Sequence, residues 1–569
     1  MACKQNIISE EYVDLLIRYR NSLERAEEVY SGYCRQTIND SWFVLYLSIS
    51  ELASLSLNFE SLGYYTIPKL YGLMEQSSMI ESGVIRLRNQ SRLNLLGKDV
   101  IIGFVDTGID YLHEVFKDAR GETRILSIWD QSDNTGTPPK EFCYGSEYSR
   151  GQINEAILSD NPYDIVPEQD EENGHGTFMA GIAAGSIIGD DFTGAAPESS
   201  IIAVKLRQAK NVLRDFYFVN ESANAYSETD IMLGISYLVQ RAIEEEKPLV
   251  ICLGVGTSYG PHTSGTPLSQ MLNVISDYVQ IVVVTPTGNE ANARHHYQGT
   301  IMKGTETDTV ELRVGENEKG FLLELWGSQP DIFSVEIISP SGETVSRIQA
   351  SNEEYHRLDF IFENTVIYLY YDIVETINGN QLITMRFENP SPGIWRIRVY
   401  DNNALSGNFH MWLPITEFLS SETYFINSSP YTTLTQPSSA TNPISVGAYN
   451  HRDNSIWIDS GRGYAANGVV KPEIVAPGVN VYGPRAGGTH NGYTTRSGTS
   501  VAAAHAAGIS ALLFNWQLKQ NVYSTANTLD VKSLLILGAK RESGRSYPNP
   551  EWGYGAVDIY NVFASLINR

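Results

Sequence analysis

From residue 100 onwards the chain alternates short, almost uncharged, β-branched runs with stretches at helical spacing, and few architectures can absorb that pattern. The runs lie at 100–105, 201–206, 249–253 and 281–284. A strand with one wet face carries a polar residue at every second position, so runs without them suit parallel strands buried on both faces. The clearest helix between them is 230–242. Ile231, Ile235, Leu238, Val239 and Ala242 share one face, Leu233 falls off it, and Thr229 is placed to cap it. The alternation predicts an α/β fold: a parallel sheet with helices on both faces and ligand sites at the carboxyl ends of its strands.

The pattern is broken at both sides. Residues 298–413 hold no convincing helix, and strands are predicted at 310–314, 321–326, 335–338, 366–371, 382–387, 395–400 and 409–413. Ser339-Pro340-Ser341-Gly342 and Asn389-Pro390-Ser391-Pro392-Gly393 are turn signals between them. This reads as an all-β sandwich inserted into the α/β unit, which resumes by Pro443. Near the start, Tyr12, Leu15, Leu16, Tyr19, Leu23, Ala26 and Tyr30 recur at helical spacing, followed by a strand at 42–49 and a short helix at 51–57. The expected division is 1–90 as a separate α+β unit, 91–297 and 415–569 as the two parts of the α/β unit, and 298–414 as the insertion.

Composition excludes several classes. With 42% hydrophobic and 19% charged residues the chain is globular. A net charge of −25 argues against nucleic acid as a partner, because phosphate binding needs clustered Lys and Arg. The charge is compatible with a basic substrate, but solubility explains it better. No apolar run reaches the roughly 20 residues of a membrane span. Cys3, Cys34, Cys143 and Cys252 are scattered without metal spacing, so neither a disulfide framework nor a metal site is expected. The opening MACKQNIISEEYVDLL has no basic region followed by an apolar core, which leads to the expectation of a chain made in the cytoplasm without a secretory signal.

Three short segments carry chemistry. Asp106-Thr107-Gly108 ends a strand, His175-Gly176-Thr177 opens a helix, and Gly498-Thr499-Ser500 runs into an alanine-rich helix at 501–516. A carboxylate can fix the tautomer and orientation of an imidazole, which can then take the proton of a serine hydroxyl. Ser500 at a helix start also has free N–H groups suited to a developing oxyanion. Each residue has a plainer alternative: Asp106 as a turn cap, His175 as a surface or capping residue, Ser500 as an N-cap. Ser497 is a rival nucleophile, set further from the helix start. Asn289, in Thr287-Gly288-Asn289-Glu290, can donate to the oxyanion or simply make a turn.

The order Asp, His, Ser is that of the subtilisin-like serine peptidases, and the chain resembles that family over about 100–296 and 415–569. The resemblance rests on Phe104-Val105-Asp106-Thr107-Gly108, Gly174-His175-Gly176-Thr177, Gly288-Asn289, Gly498-Thr499-Ser500-Val501-Ala502, Lys471–Gly478 and Trp552-Gly553-Tyr554-Gly555. It implies a triad of Asp106, His175 and Ser500, with Asn289 as the oxyanion-hole side chain. Leu253, Gly254 and Gly288 would bind substrate, which would add as a strand beside Leu253-Gly254. Ala504 departs from the family, many members of which carry Pro before the residue matching His505. The resemblance implies no cofactor. Members often bind calcium, but the acidic residues here form no EF-hand-like loop.

A leading segment combined with a β insertion between Asn289 and Ser500 is similar to the Csp germination proteases of spore-forming clostridia. That likeness implies a jelly-roll insertion, a prodomain acting as intramolecular chaperone that can stay bound after autocleavage, a spore association, and limited proteolysis of a cortex-lytic prohydrolase. The polar stretch Arg86-Leu87-Arg88-Asn89-Gln90-Ser91-Arg92 suggests cleavage at Gln90–Ser91, an intact linker being the alternative. A catalytically silent binding protein and a general degradative protease are the competing functions.

Overall fold

The structure, a computed structural model, describes residues 6–19, 30, 32–39, 41–54, 62–63, 65–73, 79, 81–88, 90, 93–167, 169–170, 174–189, 191–302, 304–305, 307–401, 405–419, 422–520 and 525–567. Its centre is a nine-stranded sheet. Ile125–Asp130, Ser200–Lys205, Ile101–Asp106, Leu249–Leu253, Ile281–Pro286, Ile444–Asn450 and Ile474–Pro477 run parallel in that spatial order. Ser146–Ser149 and Ser455–Ile456 are antiparallel additions. Alternate residues of each central strand enter opposite cores. Ile102, Phe104, Val250, Cys252, Val282 and Val284 pack with helices His175–Ala184 and Thr499–Lys519. Ile101, Val105, Leu249, Ile251, Leu253, Ile281 and Val283 pack with helices Glu228–Glu244 and Pro267–Ser276. Two helical layers therefore account for the missing polar alternation.

The helix expected from Asp230 starts at Glu228, with Ser227 at its N-cap and Thr229 inside the first turn. Leu233 is fully buried. A second layer covers this helix: Ser236 donates to Ile38 O (2.9 Å), and Trp42, Val44 and Tyr46 join the same core.

That layer is the leading segment, and here the helical reading of Tyr12 to Tyr19 fails. Tyr12–Arg18 is the edge of a three-stranded antiparallel sheet, paired with Trp42–Ser48 from Tyr12↔Ser48 to Arg18↔Trp42. The strand is buried on both sides. Val13 and Leu15 pack with Phe43, Leu45 and Leu47 on one side, while Leu16 enters the core of the α/β unit on the other. A doubly buried strand loses the period-2 signature, so its apolar run imitates helical spacing. Leu23 and Ala26 lie outside the described residues. The expected strand at 42–49 and helix at 51–57 correspond to Trp42–Ser48 and Ile49–Ser54. Cys34 is held in a disulfide, a bond not foreseen where no disulfide framework was expected, while Cys143 and Cys252 are free thiols. Thiol pairing depends on folded proximity, which spacing along the chain does not report.

Asp14 sits between Val13 and Leu15 and points the opposite way, into the α/β unit. Arg207 Nη2 donates to Asp14 Oδ2 (2.8 Å) and Arg207 Nε to Asp230 Oδ2 (2.8 Å), while Lys210 Nζ pairs with Asp14 Oδ1. Arg207 Nη1 also reaches Ile7 O (2.6 Å), and Tyr144 donates to Asp230 Oδ1 (2.6 Å). All four charged groups are buried.

The β insertion forms two sheets. One has six strands in the order His296–Thr300, Asn408–Trp412, Gly320–Gly327, Gln381–Glu388, Thr365–Asp372, Glu354–Phe360. The other has five, in the order Thr344–Ile348, Ser334–Ile338, Gly393–Tyr400, Thr307–Val314, Tyr424–Phe425. Leu323, Leu325, Ile367, Leu369, Trp395 and Ile397 fill the space between them. Thr344–Ile348 and Glu354–Phe360 went unpredicted because both are edge strands with mostly wet side chains.

Where the sandwich meets the sheet, aromatic rings stack in a row. His262 lies on Trp412 (centroids 3.9 Å, planes 8° apart), Trp412 on His296 (4.9 Å), and His296 Nε2 meets His410 Nδ1 at 2.9 Å. Burial pulls His262 and His410 down to about 4 and His296 further. These folded-state values lie below the ordinary 6.5 or so, so unfolding takes up protons between about pH 6.5 and 4, and stability falls as pH drops through that window. Burial of Asp170 and Glu417, raised to about 6 and about 7, acts in the opposite sense. Comparison with His262→Phe isolates the histidine. Urea unfolding at pH 7 and pH 5 is expected to show about 2 kcal/mol less acid destabilisation in the variant than in the parent, and equal losses would refute the assignment.

Candidate active site

Asp106 ends the central strand Ile101–Asp106, and the chain leaves the sheet through Thr107 and Gly108. Gly108 has φ 125°, and a Cβ there would stand 1.8 Å from Gln169 O, so only glycine fits this turn. His175 opens helix His175–Ala184 after Gly174, which caps it in the left-handed region (φ 63°). Ser500 is the second residue of helix Thr499–Lys519. The sheet places the first and the two helices the others, 325 residues apart along the chain for His175 and Ser500.

The three meet in line. His175 Nδ1 lies 2.7 Å from Asp106 Oδ1, and His175 Nε2 lies 3.1 Å from Ser500 Oγ. Each of the three is at most 1% exposed. A proton on Nδ1 is therefore held by the carboxylate, leaving Nε2 as acceptor for the serine hydroxyl. Ser497, the rival, accepts a hydrogen bond from Asn480 N (2.8 Å) and is not part of this line. His505 is buried in the helix and bonds to Val501 O (2.8 Å).

The model of the Subtilase family matches residues 97–312 and 406–555. The chain belongs to the subtilase family. Its structure is similar to that of the Clostridium perfringens CspB protease, with a TM-score of 0.76 and 35% identity over 86% of this chain and 97% of that one. The serine protease AprX of Bacillus subtilis is 33% identical over 153 residues, 24% of this chain and 33% of AprX. Subtilisin-like protease SBT3 of Solanum lycopersicum is 25% identical over 477 residues, 76% of this chain and 58% of SBT3. The chain thus covers less than two thirds of the length of either relative.

Within this subtilase, Asn289 Oδ1 accepts from Thr499 N (3.2 Å) and Thr499 Oγ1 (3.0 Å), and Gly288 N donates to Thr499 Oγ1 (3.0 Å). The amide oxygen is thereby committed to the residue before Ser500. Glu290 ties the next position to the sandwich: Oε2 meets His295 Nδ1 (2.8 Å) and Oε1 accepts from Thr416 N (3.1 Å).

Leu253 pairs with Val105 inside the central sheet, fully buried. Gly254 packs against the Asp–His pair: a Cβ there would stand 2.1 Å from Asp106 Oδ2 and 2.8 Å from His175 Cε1. The open edge begins two residues beyond Leu253. Val255–Gly256 pairs antiparallel with Leu73 and Gly72, and Leu70–Tyr71 pairs with Ser227–Tyr226, so the leading segment threads a strand between two strands of the α/β unit. Gly254→Ala is expected to displace the imidazole, lower peptide hydrolysis about 100-fold and cost about 1–3 kcal/mol of stability through overpacking. A variant within threefold of the parent would show that the close approach does not matter.

Sequence reading missed Asp170, buried in the run Gln169-Asp170-Glu171-Glu172. Its Oδ1 accepts from Thr107 Oγ1 (3.0 Å) and its Oδ2 from Thr177 N (2.8 Å), while Thr107 Oγ1 accepts from Gly176 N (2.9 Å). The residues beside Asp106 and His175 are thus stapled together. Burial pushes Asp170 up to about 6, against the lowering effect of the Thr177 and Thr107 bonds. A carboxylate among other acids carries no sequence signal; its spacing of five before His175 is the only clue. Gln90 is exposed in a turn behind helix Val84–Arg88, and Ser91 lies outside the described residues. That helix is tied down by Arg86 to Asp558, and by Arg88 to Thr193 Oγ1 (2.7 Å) and Ala195 O (2.9 Å). Among the described residues no group of three or more His, Cys, Asp or Glu has metal-holding geometry, and no helix is long and apolar enough to cross a membrane.

Proposed function

We propose that the chain is a serine endopeptidase, made as a proenzyme, that cuts protein substrates by limited proteolysis. The Asp106–His175–Ser500 line supports this reading above all. Ser500 Oγ attacks the scissile carbonyl as its proton passes to His175 Nε2, and Asp106 steadies the imidazolium. Asn289 Nδ2 and the Ser500 N–H receive the oxyanion; with Oδ1 held by Thr499, Nδ2 is the end of the amide left to donate. The imidazolium then protonates the leaving amine, and water releases the acyl group by the same path. Fluorophosphonate labelling of Ser500 tests this directly, and a native protein left unlabelled would favour the silent binding protein.

The leading segment, expected from the sequence to span 1–90, serves as the prodomain and ends at its own cut. The strand Leu70–Leu73 lies where a substrate would add. Leu73 faces Val255, and the next residue of that edge, Gly254, touches Asp106 and His175. The cut therefore falls just after Leu73, within 74–78, where the sequence holds another Gln-Ser pair, Gln76-Ser77. This replaces Gln90–Ser91, whose Gln90 follows a helix anchored elsewhere. The N-terminus of the processed enzyme, read by mass spectrometry, decides between the two. The Asp14 network favours retention of the prodomain after cutting. Likeness to the CspB protease supports a cortex-lytic prohydrolase as the target during spore germination. Incubation with such a prohydrolase and with unrelated proteins separates dedicated from degradative use.

A further inference from the structure

Lys69, immediately before the strand Leu70–Leu73, is only 1% exposed. Its backbone is clamped to the start of helix Glu228–Glu244: Lys69 N donates to Glu228 Oε2 (3.4 Å) and Glu228 N donates to Lys69 O (2.8 Å). Its side chain turns inward, where Nζ donates to Ile67 O (2.8 Å) and lies 5.7 Å from the centre of the Tyr65 ring.

Three buried carboxylates attract its ammonium, each from a separate piece of chain. Glu228 comes from the helix, Glu324 from strand Gly320–Gly327 and Glu375 from the loop after strand Thr365–Asp372. Glu324 is fixed by Gly260 N (2.8 Å) and Trp326 Nε1 (3.0 Å), and Glu375 by Ile377 N (2.8 Å) and Asn378 N (3.0 Å). A cavity of about 50 Å³ beside Lys69 is lined on the sandwich side by Leu322, Tyr355, Tyr368, Tyr370, Thr384 and Arg386, whose Nε donates to Phe216 O (2.8 Å). Thr384 stands opposite Glu324 in the sheet register. Burying carboxylates is costly unless a cation answers them. Burial brings Lys69 down to about 8, opposed by the attraction of Glu228, Glu324 and Glu375, so it carries its charge at neutral pH.

We propose that Glu228, Glu324 and Glu375 form a subsite for a lysine side chain of the protein substrate, at the position just before the backbone that pairs with Tyr226–Ser227. The β-sandwich supplies two of the three carboxylates, so the insertion takes part in selecting what is cut. Lys69 fills the subsite while the leading segment is in place, and a substrate following the same path puts its own lysine there. This rests on the endopeptidase reading.

The test uses processed enzyme diluted until its leading fragment has dissociated; one portion is labelled with a fluorophosphonate, and a separate unlabelled portion is given a peptide library prepared from a digested proteome. Lysine is expected to be enriched on the order of tenfold at one fixed position upstream of the cut. The enrichment is expected to vanish in Glu324→Gln and in Glu375→Gln, with the labelling rate unchanged. A selected peptide acetylated at that lysine is expected to lose about tenfold in kcat/KM. A flat distribution with labelling intact, or enrichment that survives both substitutions, overturns the subsite and leaves the endopeptidase reading standing. Absence of labelling removes both. If Glu324→Gln fails to fold, Glu375→Gln and the acetylated peptide still decide.

Discussion

Ser500→Ala is expected to leave the purified chain in one piece and to lower peptide hydrolysis by about 10⁶-fold, as loss of the nucleophile does in such triads. The substitution removes one buried oxygen and its contact with His175 Nε2 and leaves the Asp106–His175 bond untouched. Thermal unfolding is therefore expected to stay close to that of the uncut parent. Intact mass reports processing and a fluorogenic peptide reports turnover. A Ser500→Ala chain that still cuts itself would sink the assignment of the nucleophile. An uncut parent that labels with fluorophosphonate would instead sink autoprocessing alone. Residual hydrolysis above background is expected from the oxyanion donors, since they do not depend on the hydroxyl.

Asp14→Ala is expected to cost about 3–5 kcal/mol, because it leaves one buried cation without its carboxylate and a second with one carboxylate in place of two. Arg207 keeps Asp230 and Ile7 O, but Lys210 loses the carboxylate that answers it. The loss falls on the seam between the leading segment and the α/β unit, not within either. Urea unfolding of the Ser500→Ala background measures the cost without interference from cutting. In the processed enzyme the same substitution is expected to speed release of the leading fragment by at least about 100-fold, read by size exclusion after dilution. A change below 1 kcal/mol would mean that water reaches Arg207 and Lys210 as soon as Asp14 is gone.

The parts of the fold legible in the sequence share a physical trait: their partners impose a repeating pattern on neighbouring residues. Leu249–Leu253 and Ile281–Pro286 are buried on both faces and read as uncharged runs. The sandwich strands with one wet face, such as Thr365–Asp372, alternate plainly. Tyr12–Arg18 misled because it is doubly buried yet isolated, so nothing beside it in the sequence distinguished a strand from a helix turn. The site divides in the same way. Asp106, His175, Asn289 and Ser500 stand at strand ends and helix starts marked by a nearby glycine, whose backbone demands show in the sequence. Asp170 and Lys69 do not, since the groups that give them meaning come from distant segments.

By itself, the sequence determined which residues stand at strand ends and helix starts, because local backbone geometry writes Gly, Ser, Thr and Asn into those positions. It carried the acid, base and nucleophile in their order, and the break in pattern where the β insertion enters. Only the tertiary structure decided that Leu70–Leu73 lies between Tyr226–Ser227 and Val255–Gly256, that Asp14 answers Arg207 and Lys210, and that Glu228, Glu324 and Glu375 gather around one lysine. Those are charge and strand pairings across more than a hundred residues. Their energy depends on distance and exclusion of water, which no local run of the chain records.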